Sequence, residues 1–339
     1  MSSQQTPPGP PYPPTTAGLG GQATVGTDVP VCSVLLLFYI GAAVGNMFIF
    51  QANRRKGHVF VISGALFGFC MARILTLCLR IGVATHPHNV SLSIAANIFV
   101  NAGILVVYVV NLVLALRILR ARQPDLGWKP IVRVLARTLY ALIAACLVLL
   151  ITMIVISFYT LDESLKQACR DVQLAAITYF CVFTVVPFFI LGLTFSLKPA
   201  PNALTFGTGQ MRTKGLIILT STCLCVTNSG FKTGANWETP RPISDPAWYQ
   251  GRAAFYVFLF VLEIIILYFS IAMRIDRRFY VPDGSSKRKS FEVPEAEEEK
   301  PELQRPANLG ELAQDLRLGT GHTGTTGSDK DSEKDAAAV

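Results

Sequence analysis

Seven stretches of this chain are apolar for long enough to cross a lipid bilayer, and no other feature restricts the fold as tightly. A helix rises about 1.5 Å per residue, so about 20 apolar residues span the hydrocarbon core. The stretches lie at about 31–51, 59–81, 91–116, 138–159, 172–196, 215–231 and 253–273. The sixth is the weakest, diluted by Thr220, Ser221, Thr222, Thr227 and Asn228. Charged residues make up only 15% of the 339, where a soluble domain carries roughly 25%. The net charge of +8 therefore does not point to a basic soluble domain. The expected fold class is all-α, a polytopic membrane protein with seven transmembrane helices.

The distribution of Lys and Arg sets the expected orientation. With the N-terminus outside, the cytosolic segments hold 15 basic residues, among them Arg54, Arg55, Lys56, Arg117, Arg120 and Arg274. The outer loops hold five, namely Lys166, Arg170, Lys232, Arg241 and Arg252, and the first 29 residues hold none. The C-terminus is then cytosolic. The sequon Asn89-Val90-Ser91 falls in an outer loop under this topology, making Asn89 a candidate glycosylation site. Three regions follow: a Pro/Gly/Thr-rich outer tail over 1–29, a seven-helix domain over 30–282, and a cytosolic tail over 283–339. The first has no signal-peptide pattern. Both tails are expected to be disordered, because they lack the apolar residues that offset chain entropy.

Ionised groups at membrane depth are costly unless paired or hydrated. Arg73 lies well inside the second apolar stretch and Glu263 near the middle of the seventh, at depths from the outer surface that differ by only a few Å. The depth match predicts a pair. It serves either as a structural pin that fixes helix register or as part of a polar-ligand or proton site. Tyr256, Glu263 and Ser270 recur every seven residues, and Asn97, Asn101, Tyr108 and Asn111 form a second stripe. Both stripes are expected to face the bundle interior, as interhelical hydrogen-bond glue or as the lining of an outward-open cavity.

Gly41/Gly45 and Gly64/Gly68 read as close-packing pairs, and Pro187 as a kink in the fifth span. Among eight cysteines, Cys169 lies in an outer loop, with Cys32 and Cys78 near the outer ends of their spans; a disulfide from Cys169 to Cys32 or Cys78 is compatible with an oxidising outer space. No zinc helix, phosphate loop or nucleophile elbow is present. His86 and His88 lack further ligands, so no metal or cofactor is expected, and neither is enzymatic activity. The basic loops are explained by orientation and anionic headgroups, which leaves no need for nucleic acid. The lipid bilayer is the expected partner. The run Arg274-Ile275-Asp276-Arg277-Arg278-Phe279-Tyr280 is suited to the inner leaflet, or is simply a stop-transfer cluster, and Ser290 beside Lys287-Arg288-Lys289 is a candidate phosphorylation switch for lipid attraction.

The blocks Gly57-His58-Val59-Phe60, Leu66 to Ile74, Pro246-Ala247-Trp248-Tyr249 through Tyr256, Glu263, and Arg274 to Pro282 resemble a fungal family of seven-span membrane proteins. That family is catalogued as a domain of unknown function, and its members are sometimes labelled class C-like G-protein-coupled receptors. The resemblance implies a fungal source and a membrane location, with a G protein or other cytosolic signalling partner implied by the receptor label. The residues depart from better-known receptors. Twenty-nine residues are too few for a class C ligand domain, Leu116-Arg117-Ile118 is not the rhodopsin-like triplet, and the seventh stretch has no Lys to hold retinal. Two readings stand: a receptor-like sensor of a small molecule, and a lipid or small-molecule transporter similar in layout to fungal lipid-translocating exporters. The sequon and loops suit the plasma membrane or another membrane of the secretory route.

Overall fold

The computed structural model describes residues 9–14, 16–57 and 59–281. The cytosolic tail expected over 283–339, with Ser290 and its flanking charges, lies outside them. The described residues are helical, with no strand among them beyond an isolated bridge between Thr16 and Pro242. The helices in chain order are α1 (Val25–Arg55), α2 (Val61–Thr85), α3 (Val90–Ala102), α4 (Leu105–Arg122), α5 (Pro124–Gly127), α6 (Pro130–Tyr159), α7 (Glu163–Ser196) and α8 (Met211–Trp237). They are followed by α9 (Arg252–Phe255), a π-helical turn (Tyr256–Val261), α10 (Leu262–Ala272) and α11 (Ile275–Arg278).

Six helical rods are long and apolar enough to cross a membrane: Val25–Arg55, Val61–Thr85, Val90–Arg122, Pro130–Tyr159, Glu163–Ser196 and Arg252–Ala272. The chain is thus of multi-pass membrane type. The sixth apolar stretch of the sequence becomes α8, which is long enough but is not among the six. Several of its polar residues are placed inward, while Thr220 and Thr227 stay exposed. Ser221, Thr222, Asn228, Ser229 and Lys232 are all buried against neighbours, while Leu216 is 63% exposed. Helix α8 runs between α7 and α4 and is covered by them, so a low hydropathy is physically consistent with its position.

Lipid-facing surfaces are recognisable by what they expose. Leu37, Phe48, Ile131 and Phe189 are each about 70% exposed, a distribution that water would penalise and hydrocarbon would not. Helix α6 buries Ala136, Ile143, Leu150, Ile154 and Phe158, steps of seven and four that define one face; the other faces are free for lipid. Association between such helices depends on close packing and hydrogen bonds, since lipid tails are as apolar as Leu. Gly41 shows the packing side: a Cβ there would sit 2.6 Å from the Tyr268 hydroxyl oxygen, so α10 approaches α1 only because Gly41 has none. Helix α7 runs through Pro187 from end to end. It starts at Asp162, whose carboxylate accepts from the Ser164 hydroxyl (2.9 Å) and backbone N–H (3.0 Å). Those two bonds hold the Asp162 carboxyl below the usual carboxylate range.

The rods alternate in direction, so Thr85, Tyr159 and Trp237 gather at one end (the Trp237 end) and Arg55, Arg122 and Arg274 at the other (the Arg274 end). Residues 16–24, expected to belong to a disordered tail, instead run across the Trp237 end. The Ala17 N–H donates to the Arg241 carbonyl (2.8 Å) and the Gly20 N–H to the Gln250 carbonyl (3.1 Å). Composition alone misses this because the bonds are made by backbone groups and need little side-chain burial. Helix α1 accordingly starts at Val25, five residues before the boundary expected at 30.

Candidate functional site

Two of the rods are interrupted, and the interruptions place the polar core. The α-helical pattern lapses at Gly103 and Ile104, between α3 and α4, and the last rod carries the π turn Tyr256–Val261 just before Glu263. Each lapse leaves backbone carbonyls without their usual helical donors, and an unsatisfied carbonyl inside a membrane is expensive. Side chains add donors there, although the Phe99 carbonyl keeps a long helical bond from the Gly103 N–H at 3.4 Å. Arg73 Nη1 donates to the carbonyls of Phe99 and Val100, both at 3.3 Å. Asn228 Nδ2 donates to the Phe258 carbonyl at 2.8 Å, and the Tyr39 hydroxyl lies 3.2 Å from that of Phe260, its one proton shared between that carbonyl and Glu263.

Arg73 and Glu263 meet in a bidentate pair. Nε donates to Oε2 at 2.6 Å and Nη2 to Oε1 at 2.5 Å, and both residues are 1% exposed. The Tyr39 hydroxyl adds a bond to Oε2 at 2.9 Å. The guanidinium lies between the rings of Phe69 and Phe260, with its carbon 5.6 and 5.4 Å from the ring centroids. Gly103 closes the arrangement from α3, because a Cβ there would lie 3.0 Å from Arg73 Cζ. Helices α1, α2, α3 and α10 therefore share one fully satisfied charge pair.

A second ion cluster sits at the Trp237 end. Asp28, fully buried, accepts from Arg80 Nε (3.1 Å) and Nη2 (2.9 Å), from the Tyr256 hydroxyl (2.6 Å) and from the Thr24 N–H (2.8 Å). Arg252 approaches its other oxygen at 3.4 Å, and Arg80 also donates to the Gly20 carbonyl at 2.6 Å. Tyr256 thus belongs to this cluster rather than to that of Glu263. Ser270, the third member of its heptad stripe, bonds the Ile266 carbonyl of its own helix.

The Asn stripe divides at the helix break. Asn111 and Tyr108, on α4, face α8: Asn111 Nδ2 donates to Cys225 Sγ (3.2 Å), Asn111 Oδ1 accepts from Ser221 (2.9 Å), and the Tyr108 hydroxyl donates to Asn228 Oδ1 (3.1 Å). Asn97 and Asn101, on α3, do not reach this interior. Asn97 is exposed, and Asn101 is only partly buried and bonds Asn97. A stripe counted through Gly103 and Ile104 assumes an unbroken helix, and the break shifts the register. Asn101 instead borders a small cleft of about 10 Å³ with Tyr108, Phe180, Ser229, Lys232 and Thr233.

Lys232 is the residue that span counting assigns to an outer loop. Helix α8 extends to Trp237, which carries Lys232 into the bundle, where it is 7% exposed. Its ammonium has no hydrogen-bond or ion-pair acceptor among the described residues, although Arg73 and Glu263 lie within electrostatic reach. The other expectations resolve simply. Asn89 is exposed and caps α3, its Oδ1 accepting from the Leu92 N–H at 3.1 Å. All eight cysteines are free, which corrects the disulfide expectation. Cys169 sits on α7, which packs on α8, α6 and α4, whereas Cys32 and Cys78 are on α1 and α2; Cys32 Sγ instead faces the Tyr256 hydroxyl at 3.2 Å. No group of three metal-ligating side chains occurs among the described residues.

Residues 202–280 match the family model described as "Protein of unknown function (DUF3112)". The match runs from before α8 to the end of α11, and so includes Asn228, Lys232 and Glu263. It accords with the resemblance, read from the sequence, to a family catalogued as a domain of unknown function. No curated protein and no solved structure matches the chain.

Proposed function

We propose that this chain is a receptor-like sensor that crosses the membrane seven times and recognises a small molecule bearing an anionic group. In this reading α8 is a span, the N-terminus is outside, and the Trp237 end faces the medium at the plasma membrane or another secretory-route membrane. The Arg274 end carries the basic segments and faces a cytosolic signalling partner, for which a G-protein α subunit is the candidate. No catalytic step is involved.

The observation that carries this reading is Lys232. Two cations, Arg73 and Lys232, share the interior between the helices with one carboxylate, Glu263. Arg73 and Tyr39 hold that carboxylate, which leaves Lys232, 7% exposed on the cleft wall, with no acceptor among the described residues. An ammonium so largely removed from water is costly unless it is matched. A ligand carboxylate or phosphate entering between α3, α7 and α8 would match it. The cleft is closed to about the size of one water, so entry requires movement, and the break at Gly103 beside Asn101 is where the backbone has the fewest helical bonds to lose. The same break contacts Arg73, which links ligand entry to the Arg73–Glu263 pair.

The test compares wild type with Lys232→Gln for thermal stability in detergent and for complementation of a deletion strain. The expected result is stability at or above wild type, since an unmatched charge is removed, with complementation lost. Full complementation by Lys232→Gln overturns the reading. Failure to recover a G-protein α subunit by proximity labelling of the native protein removes that partner.

A further inference from the structure

A groove of about 360 Å³ opens at the Arg274 end, between the last turns of α1 and the junction of α10 with α11. Its wall is apolar, formed by Phe48, Ile49 and Ile271, and Phe48 is 72% exposed. That wall continues the exposed flank of α1 at Val44, which is 64% exposed. The rim is cationic. Lys56 and Arg277 line it, both exposed, with no carboxylate partner among the described residues. Arg274 completes the rim, and its charge is partly met by Asp276, with Nε to Oδ1 at 3.2 Å and Nη2 to Oδ2 at 3.3 Å.

The rim has a fixed shape. Arg274 adopts a left-handed conformation (φ 47°, ψ 55°), unusual for a residue with a Cβ. This turn ends the last apolar rod and folds α11 back, so that Asp276 is buried and accepts from Asn53 of α1 at 3.3 Å. Asp276 is therefore committed to the protein, while Lys56 and Arg277 remain available.

The geometry points to a binding site for one anionic phospholipid of the adjacent leaflet. The headgroup phosphate would sit between Lys56 and Arg277, and an acyl chain would lie along Phe48, Ile49 and Ile271. A free phosphate would use the rim alone and leave the apolar wall without purpose; a lipid uses both. This inference needs only that α1 and the last rod cross a membrane, so it stands apart from the sensor reading.

The full-length protein is purified in mild detergent, and its bound lipids are counted by native mass spectrometry after titration with phosphatidylserine or phosphatidylcholine. The expected result for wild type is one retained phosphatidylserine in preference to phosphatidylcholine. Lys56→Gln/Arg277→Gln should reduce that preference about 30-fold, from the attraction typical of two basic residues at an anionic surface. Arg54→Gln/Arg55→Gln removes the same charge from the same end outside the groove and should leave the preference intact. Equal loss in both doubles means diffuse attraction without a site, and overturns the inference. So does an unchanged preference in Lys56→Gln/Arg277→Gln, or displacement of the lipid by millimolar inorganic phosphate.

Discussion

Arg73 and Glu263 show why one residue type at one depth matters so much. Each oxygen of Glu263 is held by Arg73, and one also by Tyr39, so neither oxygen faces hydrocarbon without a donor. Removing one member of such a pair strands the other, at a cost of about 3–5 kcal/mol. Glu263→Gln keeps the shape and loses the charge, and is expected to lower detergent stability by that order. Tyr39→Phe removes one hydrogen bond to a charged acceptor and should cost about 1.5–3 kcal/mol. Both losses should be indifferent to added salt, because the pair is screened by protein and not by ions. A Glu263→Gln variant as stable as wild type in a thermal unfolding series would show that the pair contributes nothing net.

The helices depend on these residues as much as the residues depend on the helices. At the break between α3 and α4, a methyl group on residue 103 would press on a guanidinium that four hydrogen bonds and two rings prevent from moving. Ala is the better helix former, by roughly 0.5–1 kcal/mol, but overpacking typically costs about 1–3 kcal/mol. Gly103→Ala should therefore destabilise, and the penalty should shrink in the Glu263→Gln background, where Arg73 is free to retreat. A double-mutant cycle by thermal unfolding measures this coupling; additive effects would mean that the two sites are independent. The sequence made the Arg73–Glu263 meeting legible because depth follows from residue count. It left Asp28 and Lys232 hidden for a related reason. Both lie at rod ends, and boundaries drawn at 31 and 231 put Asp28 in the outer tail and Lys232 in an outer loop, whereas α1 starts at Val25 and α8 ends at Trp237. The Asn stripe failed differently: periodicity holds only while the backbone keeps its hydrogen bonds, and no residue in the run 97–111 other than Gly103 hints at the break.

For the molecule as a whole, the open variable is parity, and α8 decides it. Six apolar rods alone would return the C-terminus to the side of the N-terminus; α8 as a seventh passage separates them. Ser221, Asn228 and Ser229 are met from within the bundle, by Asn111, Tyr108 and Thr184. Withdrawing α8 from the membrane would strip donors and acceptors from α4, α7 and the π turn at once. The proposed seventh passage rests on these bonds, since hydropathy alone does not select it. Under the proposed topology the bias of basic residues directs the Arg274 end to the cytosol. Tags at the two termini should accordingly differ in intact cells, the N-terminal one accessible to an impermeant antibody and the C-terminal one only after permeabilisation. Asn89 should carry a glycan that an endoglycosidase removes and that Asn89→Gln abolishes. Both tags reporting from one side would take α8 out of the membrane, and with it the placement of Lys232 on which the sensor reading rests.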